Sequence, residues 1–431
     1  MVKIGICGLG TVGQSTLEHL VKYKNMIRPN TAADFEVTHV ADLDVESKEM
    51  FGAKITTTKD AMSIVNDPDV SIIIELIGGK TIANDVILES IKRKKHVVTA
   101  NKALIAENGN NIFNLAKENG VYFGFEASVA GAIPIVQSLT RNMLNEKIYS
   151  ISGIINGTCN YILDQMSSKN LSFQAALDQA QKLGYAEADP AFDINGNDAA
   201  HKIAILASLA YKIPLSYKET YIEGIKNITS LDIKYAYELG YNIKHIGITK
   251  ENNKIVELRV HPTLVPKENI LSQVNDVMNA ILVNGERFGS SMFYGHGAGG
   301  AATASAVISN VVEAINFNMN TDKTNLNISH LIGSEKRKIQ NIDDITNSFY
   351  LRIQADDEPG VMAEITNILA SEKISIEAVT QHEPENEESI PIVMITNDVT
   401  GSSINKAVKQ IESLNTVKEK IISIRVLKLN G

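Results

Sequence analysis

Ile4-Gly5-Ile6-Cys7-Gly8-Leu9-Gly10-Thr11-Val12-Gly13 is a short apolar run that ends in a G-x-G-x-x-G pattern. A helical spacing of Val12, Thr16, Leu20 and Val21 follows directly. The pattern alone is weak evidence, but its place between a strand and a helix is the context that gives it meaning. The first glycine permits the tight turn, the second lets backbone approach a pyrophosphate, and the third lets helix and sheet pack closely. The helix start then offers unpaired N–H groups and the positive end of its dipole. Gly8, Gly10, Thr11, Val12 and Gly13 are therefore candidate dinucleotide contacts. The competing reading is a glycine turn with no ligand.

Working outward, apolar runs at 35–41, 70–76, 96–100 and 121–127 read as strands, and the spacings at 83–94 and 110–119 read as helices. Alternation of this kind predicts a parallel α/β sheet. Asp42, just past the second strand, is placed to bond the ribose hydroxyls of NAD and to repel the 2′-phosphate of NADP. It lies about 30 residues beyond the glycines, against a usual ~20, and Asp44 competes for the role.

The chain has 431 residues, enough for about three domains. Apolar residues make up 44% and charged residues 21%, which excludes a disordered or fibrous chain. With 41 basic and 50 acidic side chains, the net charge of −9 leaves no electrostatic footprint for nucleic acid or an anionic membrane. Cys7 and Cys159 cannot build a disulfide framework or a cysteine-rich zinc site, and they fit a reducing compartment. The longest apolar stretch, 70–77, is interrupted by Glu75 and falls far short of a membrane span, which needs ~20 residues. No export signal is visible at the start, so the expectation is a soluble, cytoplasmic protein.

Beyond residue 130 the pattern mixes. Helices are expected at 133–144, 158–166, 172–183, 197–211 and 301–315, and strands at 147–155, 255–261 and 280–283. Residues 316–348 are polar, with a charged patch at 335–338. From 349 the order is strand 349–355, helix 360–371, strand 375–381, a charged loop 383–388, strand 391–396, helix 402–414 and strand 421–427. That is the βαββαβ ferredoxin-like unit.

Six further segments carry chemistry as a set. They are His96-Val97-Val98-Thr99-Ala100-Asn101-Lys102, the stretch from Glu126 to Pro134, Asn156-Gly157-Thr158-Cys159-Asn160-Tyr161-Ile162, Gly184-Tyr185-Ala186-Glu187-Ala188-Asp189-Pro190, the stretch from Asp193 to Lys202, and Gly295-His296-Gly297-Ala298-Gly299-Gly300. In this order, together with the glycine loop, they resemble the homoserine dehydrogenase family over about residues 1–318. Asp356-Asp357-Glu358-Pro359-Gly360-Val361 in the tail resembles an ACT domain, a module that senses small molecules. With no aspartate kinase segment ahead of the glycine loop, a fused bifunctional enzyme is not expected.

The resemblance implies a Rossmann-type dinucleotide-binding domain at 1–130 with 300–318 returning to it. It implies an α+β catalytic and dimerisation domain at 131–299, a connector at 319–348 and an ACT regulatory domain at 349–431. The implied reaction is interconversion of L-homoserine and L-aspartate 4-semialdehyde with NAD or NADP, in a homodimer or homotetramer.

Reducing an aldehyde requires a hydride held near the carbonyl carbon, a proton for the developing alkoxide, and a dry, oriented site. A lysine whose pKa is lowered by burial or by a second cation supplies the proton well. Lys102 follows a parallel strand at its carboxyl end, where ligands bind in such sheets. Lys202 lies one helical turn beyond Asp198, on the same face. The resemblance implies that Lys202 donates the proton and that Lys102 holds substrate and cofactor and serves as a second catalytic group. It assigns Glu187 and Asp198 to the substrate ammonium, a charge-assisted pairing, with Asp193 in support. Simple pairing with lysines is the alternative for these acids. The segment beginning at Asp193 superficially follows a calcium loop but fails at position six, Asp198, and at position twelve, Ala204.

Asn156-Gly157-Thr158 reads as a turn with Thr158 as helix cap, and by resemblance it lines the substrate site. Glu126 with the carbonyls of Val129, Gly131 and Ile133 resembles a site for a monovalent cation, sodium, that would stiffen the hinge between domains. Gly184 and Gly300 are expected near the nicotinamide half, again by resemblance. In the tail, Pro359-Gly360 before a helix start suits an amino-acid carboxylate, and L-threonine is the natural effector. A tail that only dimerises the enzyme is the alternative. Cys159 has no partner base in sight, and His201 reads as a helix-surface residue. Against the enzyme stand a non-catalytic sensor that binds nucleotide and amino acid, and another amino-acid dehydrogenase on the same fold.

Overall fold

The computed structural model describes residues 1–319, 333, 337–381 and 389–428. Most of the connector and the charged loop at 383–388 thus lie outside the described residues. Two compact units emerge, one of residues 1–151, 200–220 and 279–337, the other of 152–199, 221–278 and 338–431.

The first unit opens with β1 (Val2–Cys7), α1 (Thr11–Lys22), β2 (Phe35–Ala41), β3 (Thr56–Thr58), α2 (Ala61–Asn66), β4 (Ile72–Glu75), α3 (Ile82–Lys92), β5 (His96–Thr99), α4 (Lys102–Asn119) and β6 (Phe123–Gly124). The strands form one parallel sheet in the order β3-β2-β1-β4-β5-β6. Helices cover both faces of such sheets, so the central strands are apolar throughout rather than alternating. Ile4, Ile6, Ile72, Ile73, Ile74, Val97 and Val98 are accordingly buried. The order reverses between β1 and β4, which is where dinucleotides cross sheets of this kind.

One sequence reading fails here and a second is modified. The strand expected at 121–127 is only Phe123–Gly124, followed by a 3-10 turn at Glu126–Ser128. The Asn310 side chain takes the Glu126 N–H, at 2.7 Å, where a neighbouring strand would have. The helix expected at 133–144 is present over 135–142, an α-helical turn at Ile135–Gln137 running into a wider π-helical stretch at Ser138–Asn142. Ser138 and Thr140 donate their hydroxyls to the carbonyls of Pro134 and Val136, at 2.5 and 2.7 Å, and this back-bonding competes with a regular helix.

Next come β7 (Ile148–Ile154), α5 (Gly157–Lys169), α6 (Phe173–Lys182), α7 (Asn197–Tyr211), α8 (Ser230–Glu238), β8 (Tyr241–Asn252), β9 (Ile255–Pro266), β10 (Met278–Gly285), β11 (Gly289–His296) and α9 (Gly300–Met319). α9 returns to the first unit and packs along α1. A Cβ on Gly300 would sit 2.8 Å from Ser15 Oγ and 2.9 Å from Thr11 Cγ2, so the close approach of the two helices requires glycine there.

The second unit ends with β12 (Phe349–Asp356), α10 (Val361–Ser371), β13 (Ile376–Gln381), β14 (Ser389–Thr396), α11 (Gly401–Glu412) and β15 (Ile422–Val426). The expected βαββαβ order is present, with strands arranged β15-β12-β14-β13. β15 also pairs parallel with β9, with Thr263 opposite Arg425 and Leu264 opposite Val426. The tail sheet therefore continues the β8–β9 sheet. Tyr350, Val393 and Ile424 pack in one core with Ile162, Met166 and Ile233 of α5 and α8. Among the described residues no helix is long and apolar enough to cross a membrane.

Candidate active site

The glycine loop has the geometry its sequence requires. Gly8 adopts φ +98°, and a Cβ there would lie 2.5 Å from the Leu76 backbone. A Cβ on Gly13 would lie 2.1 Å from the Gly8 carbonyl oxygen. Gly10 caps α1 with no side-chain acceptor, which leaves the first-turn amides of Thr11, Val12 and Gly13 for an anion. Asp42 reaches back to this loop. One carboxylate oxygen accepts the Leu9 N–H at 2.6 Å, and the other accepts the Asp44 N–H at 3.0 Å. Asp44 faces away, bound to Ser47 and Lys48.

At the carboxyl ends of β4 and β5 stands a residue the sequence reading registered only as an interruption. Glu75 is fully buried. Its Oε1 accepts the amides of Ile77 and Gly78, at 2.8 and 3.3 Å, and its Oε2 accepts the Thr99 hydroxyl at 2.6 Å. Burial pushes its pKa up, and these hydrogen bonds pull against that. The detectable signal was one acid in an unbroken run of isoleucines. Beside it, Asn101 caps α4 by accepting the Leu104 N–H at 3.1 Å, which makes Lys102 the first helical residue.

The second unit gathers the acids around one amide. Asn156 Nδ2 donates to Asp193 and to Asp198, at 2.8 Å each. Its Oδ1 accepts the Cys159 N–H at 2.8 Å and so caps α5. The cap is therefore Asn156, and Thr158 does something else. Its hydroxyl donates to the Tyr185 carbonyl at 2.7 Å and lies 3.4 Å from Asp193, which ties the 184–190 loop to α5. Gly157 must be small, because a Cβ would lie 2.7 Å from the Val277 carbonyl oxygen. Cys159 is buried, with its thiol 3.2 Å from the Asp193 carbonyl. Glu187 is exposed on the loop and outside this cluster, its backbone carbonyl held by Gln181 at 3.0 Å. Gly184 makes the left-handed turn that opens the loop, at φ +76°.

Asp198 and Lys202 are both buried, one turn apart on α7. His201 is not on the surface as read from sequence. It is 1% exposed, its ring edge-on to Tyr217 at 4.2 Å and 3.9 Å from Glu107. His245, on β8, was missed altogether. Its Nε2 donates to the Glu223 carbonyl at 3.0 Å and lies where a Cβ on Gly196 would meet it at 3.2 Å. Burial lowers its pKa to about 4, against the pull of Asp198.

Glu126 is buried in the first unit, and its two oxygens accept the amides of Val136 and Gln137 at 2.9 and 2.7 Å. Burial raises its pKa to about 7. The Ile133 carbonyl, one of the expected cation ligands, accepts the Ile135 N–H at 2.8 Å. Gly131 is left-handed and so close to Gly297 that a Cβ would lie 2.7 Å from its carbonyl. In the tail, Gly360 takes φ +103° and begins α10 with no side-chain cap.

Comparison with known proteins identifies the family of the chain. A family model described as homoserine dehydrogenase matches residues 134–312, one for its NAD-binding domain matches 8–126, and one for the ACT domain matches 349–416. A homoserine dehydrogenase from Pseudomonas aeruginosa is 43% identical, covering 100% of this chain and 99% of its own. One from Neisseria gonorrhoeae is 42% identical, covering 100% and 99%. The crystal structure of a homoserine dehydrogenase from Thiobacillus denitrificans superposes with a TM-score of 0.94 at 39% identity, over 99% of this chain and 98% of that one.

Proposed function

The chain belongs to the homoserine dehydrogenase family, and on that premise we propose how its residues divide the work of an NAD(P)-dependent oxidoreductase. The observation that carries the proposal is that Asn156 bridges half-buried Asp193 to buried Asp198, which stands one helical turn before the buried Lys202.

The substrate pair is L-aspartate 4-semialdehyde and L-homoserine, both α-amino acids. Asp198 and Glu187 receive the ammonium group, Asp193 braces Asp198 through Asn156, and Gly157 and Thr158 shape the floor. Lys202 donates a proton to the carbonyl oxygen as the alkoxide forms, and takes it back in the oxidative direction. Burial suits that task, because desolvation disfavours the ammonium form. Lys102 steadies substrate and cofactor from the start of α4. The glycine loop holds the pyrophosphate, Asp42 the ribose edge, and Gly184 and Gly300 face the nicotinamide half. The bound dinucleotide supplies or accepts the hydride.

The acid at position 42 favours NAD over NADP, since a 2′-phosphate would meet a carboxylate. The carbonyls around Glu126 hold a monovalent cation that stiffens the hinge. The ACT tail binds L-threonine as feedback inhibitor at the start of α10. The enzyme works in the cytoplasm as a homodimer or homotetramer.

The test is absorbance at 340 nm with L-homoserine, NAD and NADP in separate runs, with and without L-threonine. Wild type reduces cofactor. Lys202→Ala loses about 10² to 10⁴-fold in kcat, the usual worth of a positioned proton donor. A folded protein that binds dinucleotide yet turns over with neither cofactor would overturn the assignment.

A further inference from the structure

We infer that Glu75 is a positioning residue for dinucleotide binding, the hub that locks two loops at the carboxyl edge of the parallel sheet to each other and to the glycine turn. The inference rests on the proposed use of that edge by the cofactor.

Two connections converge on the one carboxylate, and a third runs through the backbone of the next residue. The first is to its own loop, through the amides of Ile77 and Gly78. That loop carries Gly78 and Gly79, both left-handed at φ +77° and +71°, so without an anchor it would have wide conformational freedom. The second is to β5 through the Thr99 hydroxyl. Thr99 Oγ1 in turn accepts the Asn101 N–H at 3.0 Å, and Asn101 Nδ2 donates to the Gly79 carbonyl at 2.7 Å. The circuit closes on itself and includes the residue that caps α4 ahead of Lys102. The third is to the glycine loop. The Leu76 N–H donates to the Cys7 carbonyl at 2.7 Å, and Leu76 backbone lies against Gly8 so closely that only glycine fits.

Nothing about strand formation calls for a carboxylate at this position, since Ile72, Ile73 and Ile74 fill the rest of β4. A buried acid is costly unless it is hydrogen-bonded. Only a carboxylate offers two acceptor oxygens that can hold two backbone amides and a hydroxyl at once. The site lies at the strand-order reversal, where a bound dinucleotide passes from one half of the sheet to the other. Glu75 therefore acts on the cofactor through Gly78, Gly79 and Asn101 rather than by touching it.

The test separates positioning from scaffolding. Thr99→Val cuts the link between the two loops while leaving Glu75 on its amides, and Thr99→Ser restores the hydroxyl. Glu75→Gln keeps the shape and one acceptor oxygen. Binding of reduced dinucleotide is read by its fluorescence, independently of turnover, and KM is measured separately for cofactor and homoserine. Thr99→Val is expected to weaken dinucleotide binding about tenfold, the worth of one buried hydrogen bond. Thr99→Ser recovers it, Glu75→Gln falls between the two, and homoserine KM stays unchanged. Wild-type dinucleotide affinity in Thr99→Val, or failure of Thr99→Ser to recover it, would overturn the inference. Absence of wild-type turnover would instead strike the proposed reaction and leave the binding titration standing.

Discussion

Asn156→Asp isolates what the bridging amide contributes. Aspartate caps helices as well as asparagine does, so the hydrogen bond to the Cys159 N–H survives the change. What is lost is the NH2 group that donates to Asp193 and Asp198. In its place stands a third carboxylate oxygen, facing two others in a site where Asp198 is 2% exposed. Three anions cannot remain together there, and the cheapest relief is to protonate one. At pH 7, about three units above an ordinary carboxyl pKa, that costs about 4 kcal/mol, and the cost shrinks by ~1.4 kcal/mol for each unit the pH falls. The sign follows directly. The variant carries a carboxyl whose folded-state pKa is raised, so its deficit is largest at high pH and fades toward pH 4.

Urea unfolding of wild type and Asn156→Asp, compared at pH 7 and again at pH 5, measures this. The expected deficit is near 4 kcal/mol at the higher pH and below ~1.5 at the lower. Homoserine KM should rise at least about tenfold, because Asp198, assigned to the substrate ammonium, loses the amide that holds it in place, while cofactor KM holds. A deficit equal at the two pH values, or none, would refute the claim that the amide is what allows the acids to coexist.

Two further outcomes follow from buried groups of the second unit. His245 has a folded pKa of about 4 against an ordinary 6.5, so it contributes stability above pH 6.5 that is lost as the pH falls toward 4. His245→Gln keeps a donor for the Glu223 carbonyl and removes the titration. Wild type should lose ~2 kcal/mol relative to this variant between pH 8 and pH 5, and a stability difference independent of pH would count against it. Asp232, fully buried, holds Arg352 Nε at 2.6 Å and the Tyr350 hydroxyl at 3.1 Å. Arg352→Met leaves that charge without its cation and should cost about 3 to 5 kcal/mol in urea unfolding. Adding Asp232→Asn should recover most of it, and a double variant no better than the single would refute the pairing.

The parallel sheet was legible because its strands are continuous apolar runs bounded by glycines and acids, and β2 begins and ends where its sequence pattern does. The tail was legible for a similar reason, alternating strands and amphipathic helices of ordinary length. α7 was legible at both ends. β8 was not, because Lys244 and His245 sit in mid-strand and look like solvent-facing polar residues. Both are buried, and Lys244 reaches the Val274 carbonyl at 2.6 Å, a partner thirty residues away. His201 misled in the same way, since it is buried against Tyr217 and near Glu107, both distant in sequence.

The same distinction explains which site residues sequence motifs announced. The roles proposed for Lys102, Asp198 and Lys202 are toward a ligand, so their surroundings need only present them, and short segments suffice for that. Glu75 and Asn156 act on other parts of the chain. Asn156 meets its acids 37 and 42 residues onward, and Glu75 meets Thr99 at a separation of 24. The role of each is set by where the chain returns, which no local spacing encodes. A motif placed Asn156 at the site but misassigned the cap to Thr158. Glu75 stood in an apolar run with no motif to mark it. In this chain the groups assigned to the substrate are thus written locally, and the groups that hold the chain around them are written in the topology.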